Sequence, residues 1–204
     1  MAKKIITIAR QYGSGGREIG RMLASMCGYE FYDNNLINMS AKKIGMDAGK
    51  LTEADEKIPN SILYTLAVGS SMYGSMINPN FQPVNDKLFL AQCEVIEEIA
   101  KQDCGSVIVG RCADHVLEGR DDVLHVYLYA DFDYRVEEIC RRHGISKSES
   151  KSLVMKTDKR RANYYNYYTG KKWGKMENYD LSISTDGKTY EEICEMIKLF
   201  AGIK

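Results

Sequence analysis

Neither sign of charge is in excess in this 204-residue chain, where 28 lysines and arginines balance 28 aspartates and glutamates. Bulk electrostatics therefore singles out no polyanionic or polycationic partner. Long apolar runs are missing too: nothing approaches the roughly 20 residues that cross a bilayer. The run Ile5-Ile6-Thr7-Ile8-Ala9 is too short for a secretory core segment and is closed by Arg10. Six cysteines (Cys27, Cys93, Cys104, Cys112, Cys140, Cys194) include no C-x-x-C pair, and His115, His125 and His143 supply no closely spaced ligands, so a structural zinc site is not expected. The expectation is a cytoplasmic protein with reduced, mostly buried thiols and no membrane segment.

What is present is an alternation of short apolar runs with helical periodicity. Lys4–Ala9, Tyr29–Tyr32, Ser106–Val109, Val123–Tyr129 and Leu181–Ser184 read as strands, several of them continuously apolar as in a sheet covered on both faces. Helices are expected after the first strand (Ile19, Met22, Leu23, Met26), at Asn34–Ile44, at Asp86–Gln102 with Leu90, Cys93, Ile96 and Ile99 on one face, near Ala113–Glu118, and at Tyr134–Arg142, Lys147–Tyr168 and Tyr190–Ala201. Asp47–Lys57 is polar and acidic, and Gly69–Val84 is a Gly-, Ser-, Asn- and Pro-rich connection. Five strands separated by helices predict an α/β three-layer sandwich on a parallel sheet. Its ligand edge, beyond the carboxyl ends of the strands, carries Arg10–Gly16, Asp33, Gly110-Arg111 and Asp131.

The strongest chemical signal is Arg10-Gln11-Tyr12-Gly13-Ser14-Gly15-Gly16-Arg17-Glu18, where a buried strand runs through three glycines into a helix. Glycines let successive N–H groups turn inward as an anion nest, and the helix N-terminus adds about half a positive charge. Gly13, Ser14, Gly15, Gly16, Arg17 and Glu18 are thus candidate phosphate-binding residues. The segment departs from the Walker A pattern G-x-x-x-x-G-K-[ST]. Gly16 stands where the lysine belongs, and Glu18 falls near the Ser/Thr that holds Mg²⁺. Arg10 and Arg17 are candidate substitutes for the missing charge, although a guanidinium fork is not a lysine point charge.

A second signal is Ser106-Val107-Ile108-Val109-Gly110-Arg111, which sets a guanidinium at the strand end, suited to bidentate phosphate contact. A third is the basic stretch Lys151–Lys175, with tyrosines at 164, 165, 167 and 168 and Trp173 beyond. It reads as a solvated charged helix or as a lid folding cations over polyphosphate; nucleic acid is not an expected partner, given the neutral chain.

Taken together, the glycine loop, Tyr29-Glu30-Phe31-Tyr32-Asp33 and Val107-Ile108-Val109-Gly110-Arg111-Cys112-Ala113-Asp114 resemble the cytidylate kinase-like family, relatives of the nucleoside monophosphate kinases in the P-loop NTPase superfamily. The resemblance runs from Lys4 to Phe200. It implies a single nucleotide kinase-like domain over residues 1–204, with a core at about 1–34, 86–145 and 179–204, an acceptor-binding excursion at about 35–85 and a lid at about 146–178. It implies that Asp33, Arg111 and Asp114 face the acceptor. Arg135 would reach the transferring phosphoryl group from the start of the lid. The stretch Lys156-Thr157-Asp158-Lys159-Arg160-Arg161 would touch both nucleotides, Arg160 catalytically and Asp158 and Arg161 on the acceptor side. The Thr-Gly-Ala-Met-Tyr-Arg run of cytidylate kinase is replaced by Asn34-Asn35-Leu36-Ile37-Asn38.

The function expected is transfer of the ATP γ-phosphoryl group to a small acceptor, CMP, dCMP or another nucleoside monophosphate. Mg²⁺ would arrive with the nucleotide and not on a protein ligand set. A nucleotide-binding or regulatory module that has lost turnover is the alternative. Met72–Phe81 carries apolar residues suited either to a second subunit or to the core, so monomer and homodimer both remain open.

Overall fold

The computed structural model describes residues 2–45 and 84–203. The segment Asp47–Lys57, the apolar residues of Met72–Phe81, the connection Gly69–Val84 short of its last residue, and so most of the expected acceptor excursion, lie outside the described residues. No helix among the described residues is long and apolar enough to cross a membrane.

The strands are β1 (Ile5–Arg10), β2 (Glu30–Tyr32), β3 (Ser106–Val109), β4 (Val123–Tyr129) and β5 (Leu181–Ser184). The helices are α1 (Gly16–Cys27), α2 (Asn35–Lys43), α3 (Val84–Ile99), α4 (Ala113–Val116), α5 (Phe132–His143), α6 (Lys147–Thr169) and α7 (Tyr190–Ala201), with a 3₁₀ turn at Met176–Asn178. All four strand pairings are parallel and the order is β2-β3-β1-β4-β5. The expected five-stranded parallel α/β sandwich is the fold found. β1 is central, flanked by β3 and β4, so its carboxyl end opens into the crevice where the chain departs to both sides.

Alternation along β1 explains the three layers. Ile6 and Ile8 face one way, with Val107, Val109, Leu124, Val126 and Leu128, and bury Ile19 and Leu23 of α1 and Ile193 and Ile197 of α7. Ile5 faces the other way, with Ile108 and Val123, against Leu36 of α2, Val95, Ile96 and Ile99 of α3 and Leu117. A fully buried side chain of this size contributes about 1.5–3 kcal/mol, so both faces require their helices. The apolar face expected on α3 needs one correction: Leu90 is 49% exposed, while Leu88, Ala91, Val95, Ile96 and Ile99 are buried. The stripe therefore sits to one side of the spacing that starts at Leu90.

Local chemistry sets the helix ends near the crevice. Asp131, expected at the ligand edge, caps α5, its carboxylate accepting from the N–H of Asp133 at 2.8 Å. Ser146 and Glu149 form a capping box on α6, and Thr189 and Glu192 form one on α7. Each cap satisfies N–H groups that are otherwise orphaned, worth about 1 kcal/mol. Gly144 separates α5 from α6 in a left-handed conformation (φ 64°) that stops the first helix cleanly.

Candidate functional site

β1 ends with Arg10 paired to Leu128 of β4, and the chain then turns through Gln11–Gly15 into α1. Gly13 and Gly15 have φ of 88° and 76°, where a β-carbon costs roughly 1–2 kcal/mol. Close approach adds a second reason for glycine. A β-carbon on Gly13 would stand 2.8 Å from the Arg135 carbonyl oxygen, and one on Gly15 would stand 2.7 Å from the Tyr190 ring. Ser14 is turned inward, its hydroxyl donating to the Gln11 carbonyl at 2.9 Å, so it braces the loop from beneath.

The loop opens on a cavity of about 320 Å³ that brings together Arg10, Gly13, Gly15, Gly16, Arg17, Glu18, Asp33 and Arg161. A second, tighter cavity of about 30 Å³ shares Arg10 and Arg161 with it and is lined by Gly110, Arg111, Cys112, Asp114 and Tyr165. Arg10 joins the two. A β-carbon on Gly16 would lie 2.7 Å from Arg10 Cβ, and one on Gly110 would overlap Arg10 Nη1. The Arg10 side chain therefore leaves the glycine loop and spans to the end of β3, past two glycines at which a β-carbon would meet it.

The cations on the larger cavity are tied to specific partners. Arg17 Nε is 2.6 Å from Asp33 Oδ2, with the arginine half exposed and the aspartate nearly buried. Glu18 Oε1 is 3.0 Å from Arg142 Nη1. Arg161 donates to the Arg10 carbonyl at 3.1 Å and lies 5.5 Å from the Tyr12 ring centroid. The result is a concave surface of mixed sign whose net bias, with the α1 N-terminus, favours an anion.

At the second cavity Gly110, Arg111 and Cys112 are all left-handed, with φ of 80°, 62° and 55°. Two such non-glycine residues in succession cost on the order of 1–3 kcal/mol each, which marks the turn after β3 as a functional candidate. Asp114 lies beside it, and burial pushes its carboxyl above the ordinary aspartate range, against the lowering influence of the Tyr165 hydroxyl. That hydroxyl donates to Asp114 Oδ2 at 2.7 Å and fastens α6 to α4.

Two expected phosphoryl- or acceptor-facing residues sit behind the loop and line neither cavity. Arg135 Nη1 is 2.6 Å from Asp158 Oδ2 and 3.1 Å from the Tyr12 carbonyl, and its Nε donates to the Ala130 carbonyl at 3.0 Å. Asp158 Oδ1 also accepts from the Tyr12 N–H at 2.7 Å. Breaking such a buried pair by removing one partner costs about 3–5 kcal/mol. Arg160 is exposed on α6 and lines neither cavity.

Sequence reasoning passed over Tyr12, Asn34, Arg142 and His143, which also line the larger cavity. The Tyr12 hydroxyl is 3.2 Å from His143 Nε2. A signal existed for the α5 pair: basic residues in the last turn, followed by Gly144, mark a helix end that the short connection to α6 returns to the loop. The described residues contain no group of three or more His, Cys, Asp or Glu side chains that would hold a metal ion by themselves.

The cytidylate kinase-like family is matched over residues 5–187. Among curated proteins, a cytidylate kinase from Thermococcus sibiricus is 26% identical over 183 residues, 89% of this chain and 79% of that protein. A uronate isomerase from Corynebacterium glutamicum is 27% identical over 138 residues, 68% of this chain; the alignment spans about a quarter (26%) of that relative's length. A solved structure of an uncharacterized protein from Eubacterium ventriosum superposes with a TM-score of 0.73 at 22% identity, covering 99% of this chain and 100% of that one. The shikimate kinase of Bacteroides thetaiotaomicron superposes with a TM-score of 0.54 at 12% identity and 98% coverage of both chains, a likeness of fold.

Proposed function

The chain belongs to the cytidylate kinase-like family, and from that premise we propose that it is a cytoplasmic phosphotransferase moving the ATP γ-phosphoryl group to a small acceptor, a nucleoside monophosphate such as CMP or dCMP. The observation that carries the proposal is the course of Arg10, which packs on Gly16 of the anion nest and ends over Gly110. Its guanidinium lies between the loop that would hold the donor phosphates and the strained Gly110–Arg111 turn that would hold the acceptor. Phosphoryl transfer is catalysed mainly by positioning and by neutralising charge on the transferring group. A cation at the donor–acceptor boundary answers that need where the loop lysine is lacking.

In this reading Gly13, Gly15 and Gly16 present main-chain N–H groups to the donor phosphates, and Arg111 and Arg161 contact the acceptor. Arg17 is held by Asp33 until ligands compete for one or the other. Asp33, on the wall of the larger cavity, would meet the acceptor, and magnesium would be carried in on the phosphates, where it supplies charge neutralisation. A nucleotide-binding module without turnover is the second reading, favoured by the pairing of both Arg17 and Glu18 within the protein. ATP consumption measured against the four ribonucleoside monophosphates and dCMP, with calorimetric ATP binding alongside, separates the two readings. Phosphorylation of one acceptor supports the transferase; binding without consumption supports the module.

A further inference from the structure

We infer that Asp158 is a positioning residue for the glycine loop: with Arg135 it clamps both main-chain groups of Tyr12 and so presets the N–H groups of the nest. This rests on the phosphate-binding reading of the loop, and it gives Asp158 and Arg135 a task other than the ligand contacts that family resemblance implies.

The bonds close a ring. Asp158 Oδ1 accepts from the Tyr12 N–H at 2.7 Å. Arg135 Nη1 donates to the Tyr12 carbonyl at 3.1 Å and to Asp158 Oδ2 at 2.6 Å. Arg135 Nε, bonded to the Ala130 carbonyl at 3.0 Å, anchors the ring to the junction of β4 and α5. With its N–H and its carbonyl both fixed, Tyr12 has little freedom in φ or ψ, and the next residue, Gly13, rests on the Arg135 backbone.

Three residues along α6 from Asp158, Arg161 donates to the Arg10 carbonyl at 3.1 Å. One face of α6 thus holds the chain on either side of Gln11, just before the nest. Tyr165, further along, is bonded to Asp114 at 2.7 Å. From Asp158 to Tyr165 the helix is bolted to the sheet edge.

A nest binds anions well only if its donors point inward before the ligand arrives, because reorganising them on binding would consume the interaction. Asp158 supplies that preorganisation without touching the ligand. The pair is nearly dry, with side chains 7% and 18% exposed for Arg135 and Asp158, so its geometry is held against competition from water.

The test replaces the pair with apolar residues of similar size, Arg135→Met with Asp158→Leu, a change that is often neutral for stability. Inorganic tripolyphosphate is the calorimetric probe, and amide exchange is followed across residues 10–17. The expected result is a cooperative melt close to the parent's, tripolyphosphate binding weakened about tenfold or more, and faster exchange extending past Tyr12 into Gly13–Arg17. A folded double variant that binds the probe within about twofold of the parent overturns the inference. If the double variant does not melt cooperatively, Arg135→Lys decides by the same criterion, since it keeps the ion pair while releasing the Tyr12 carbonyl. A parent that binds no tripolyphosphate contradicts the nucleotide reading itself. In that case exchange over residues 13–17 is the separate measure, and unchanged protection there in the variant overturns the clamp.

Discussion

Arg17 turns from the glycine loop it follows and sets its Nε 2.6 Å from Oδ2 of Asp33, at the end of β2. The arginine side chain is 50% exposed, so the attachment is inexpensive to break, worth on the order of 0–1 kcal/mol. The Asp33 carboxylate, 5% exposed, would lose more if left alone. Arg17 is thus a cation held in reserve at the loop, restrained by the carboxylate that the acceptor is proposed to meet.

Asp33→Asn is expected to release that reserve. ATP or tripolyphosphate binding should tighten, by up to about fivefold if the full value of a half-exposed pair is recovered. Phosphotransfer should fall, because the acceptor loses its carboxylate. Adding Arg17→Ala should cancel the gain in binding. Calorimetry on the parent, Asp33→Asn, Arg17→Ala and the double variant reads the coupling, and equal affinities throughout would show that Arg17 does not serve the phosphates.

Gly16→Lys should fail to restore a working Walker lysine, although it repairs the motif on paper. The new β-carbon would sit 2.7 Å from Arg10 Cβ, so one side chain must move. The single variant is expected to bind ATP more weakly and to melt below the parent, with overpacking of this kind costing about 1–3 kcal/mol. Combined with Arg10→Gly, which recreates G-x-x-x-x-G-K, it should recover binding. Affinities from the double-mutant cycle test this, and strictly additive losses would mean that residues 10 and 16 are independent.

Legibility in the sequence follows the range of the interactions. The buried strands and the glycine loop were readable because their causes are local: continuous apolar runs, and glycines where a strand meets a helix. The Asp158–Tyr12 bond joins residues 146 apart, and no spacing rule reaches that far. Arg135 and Asp158 were legible as candidates through the family resemblance, but their bonds to the loop backbone were not. Arg10 was legible as a candidate cation, but its route over Gly16 to Gly110 was not, since it depends on β1 pairing with β3. The exposed Leu90 shows the limit of periodicity: a helix that meets other helices as well as the sheet buries a stripe that one spacing does not locate.

Asp114 supplies a pH-dependent signature. Burial raises its carboxyl pKa, so the native state holds the proton more tightly than the unfolded chain does. Stability is then lost as pH rises from the ordinary aspartate value of about 4 through the raised native value, and stays lost above it. Asp114→Asn keeps an acceptor for the Tyr165 hydroxyl but does not titrate. The difference in Tm between variant and parent should move in the variant's favour across that interval and then level off. Thermal melts from pH 3 to pH 8 check this, and a difference that is flat or moves the other way contradicts the raised carboxyl.

The central claim, that Arg10 supplies the charge which the absent loop lysine would otherwise provide, is tested most directly by the turnover of Arg10→Ala beside the parent. The assay is ATP consumption with the acceptor that the monophosphate panel identifies, with ATP affinity measured on the same samples. Loss of one transition-state cation typically costs a phosphoryl-transfer site about 10³-fold or more in kcat. That loss is the predicted result, with the fold intact and ATP affinity reduced far less than kcat. An Arg10→Ala variant turning over within about threefold of the parent would contradict the claim, as would a parent that binds ATP yet phosphorylates no acceptor in the panel.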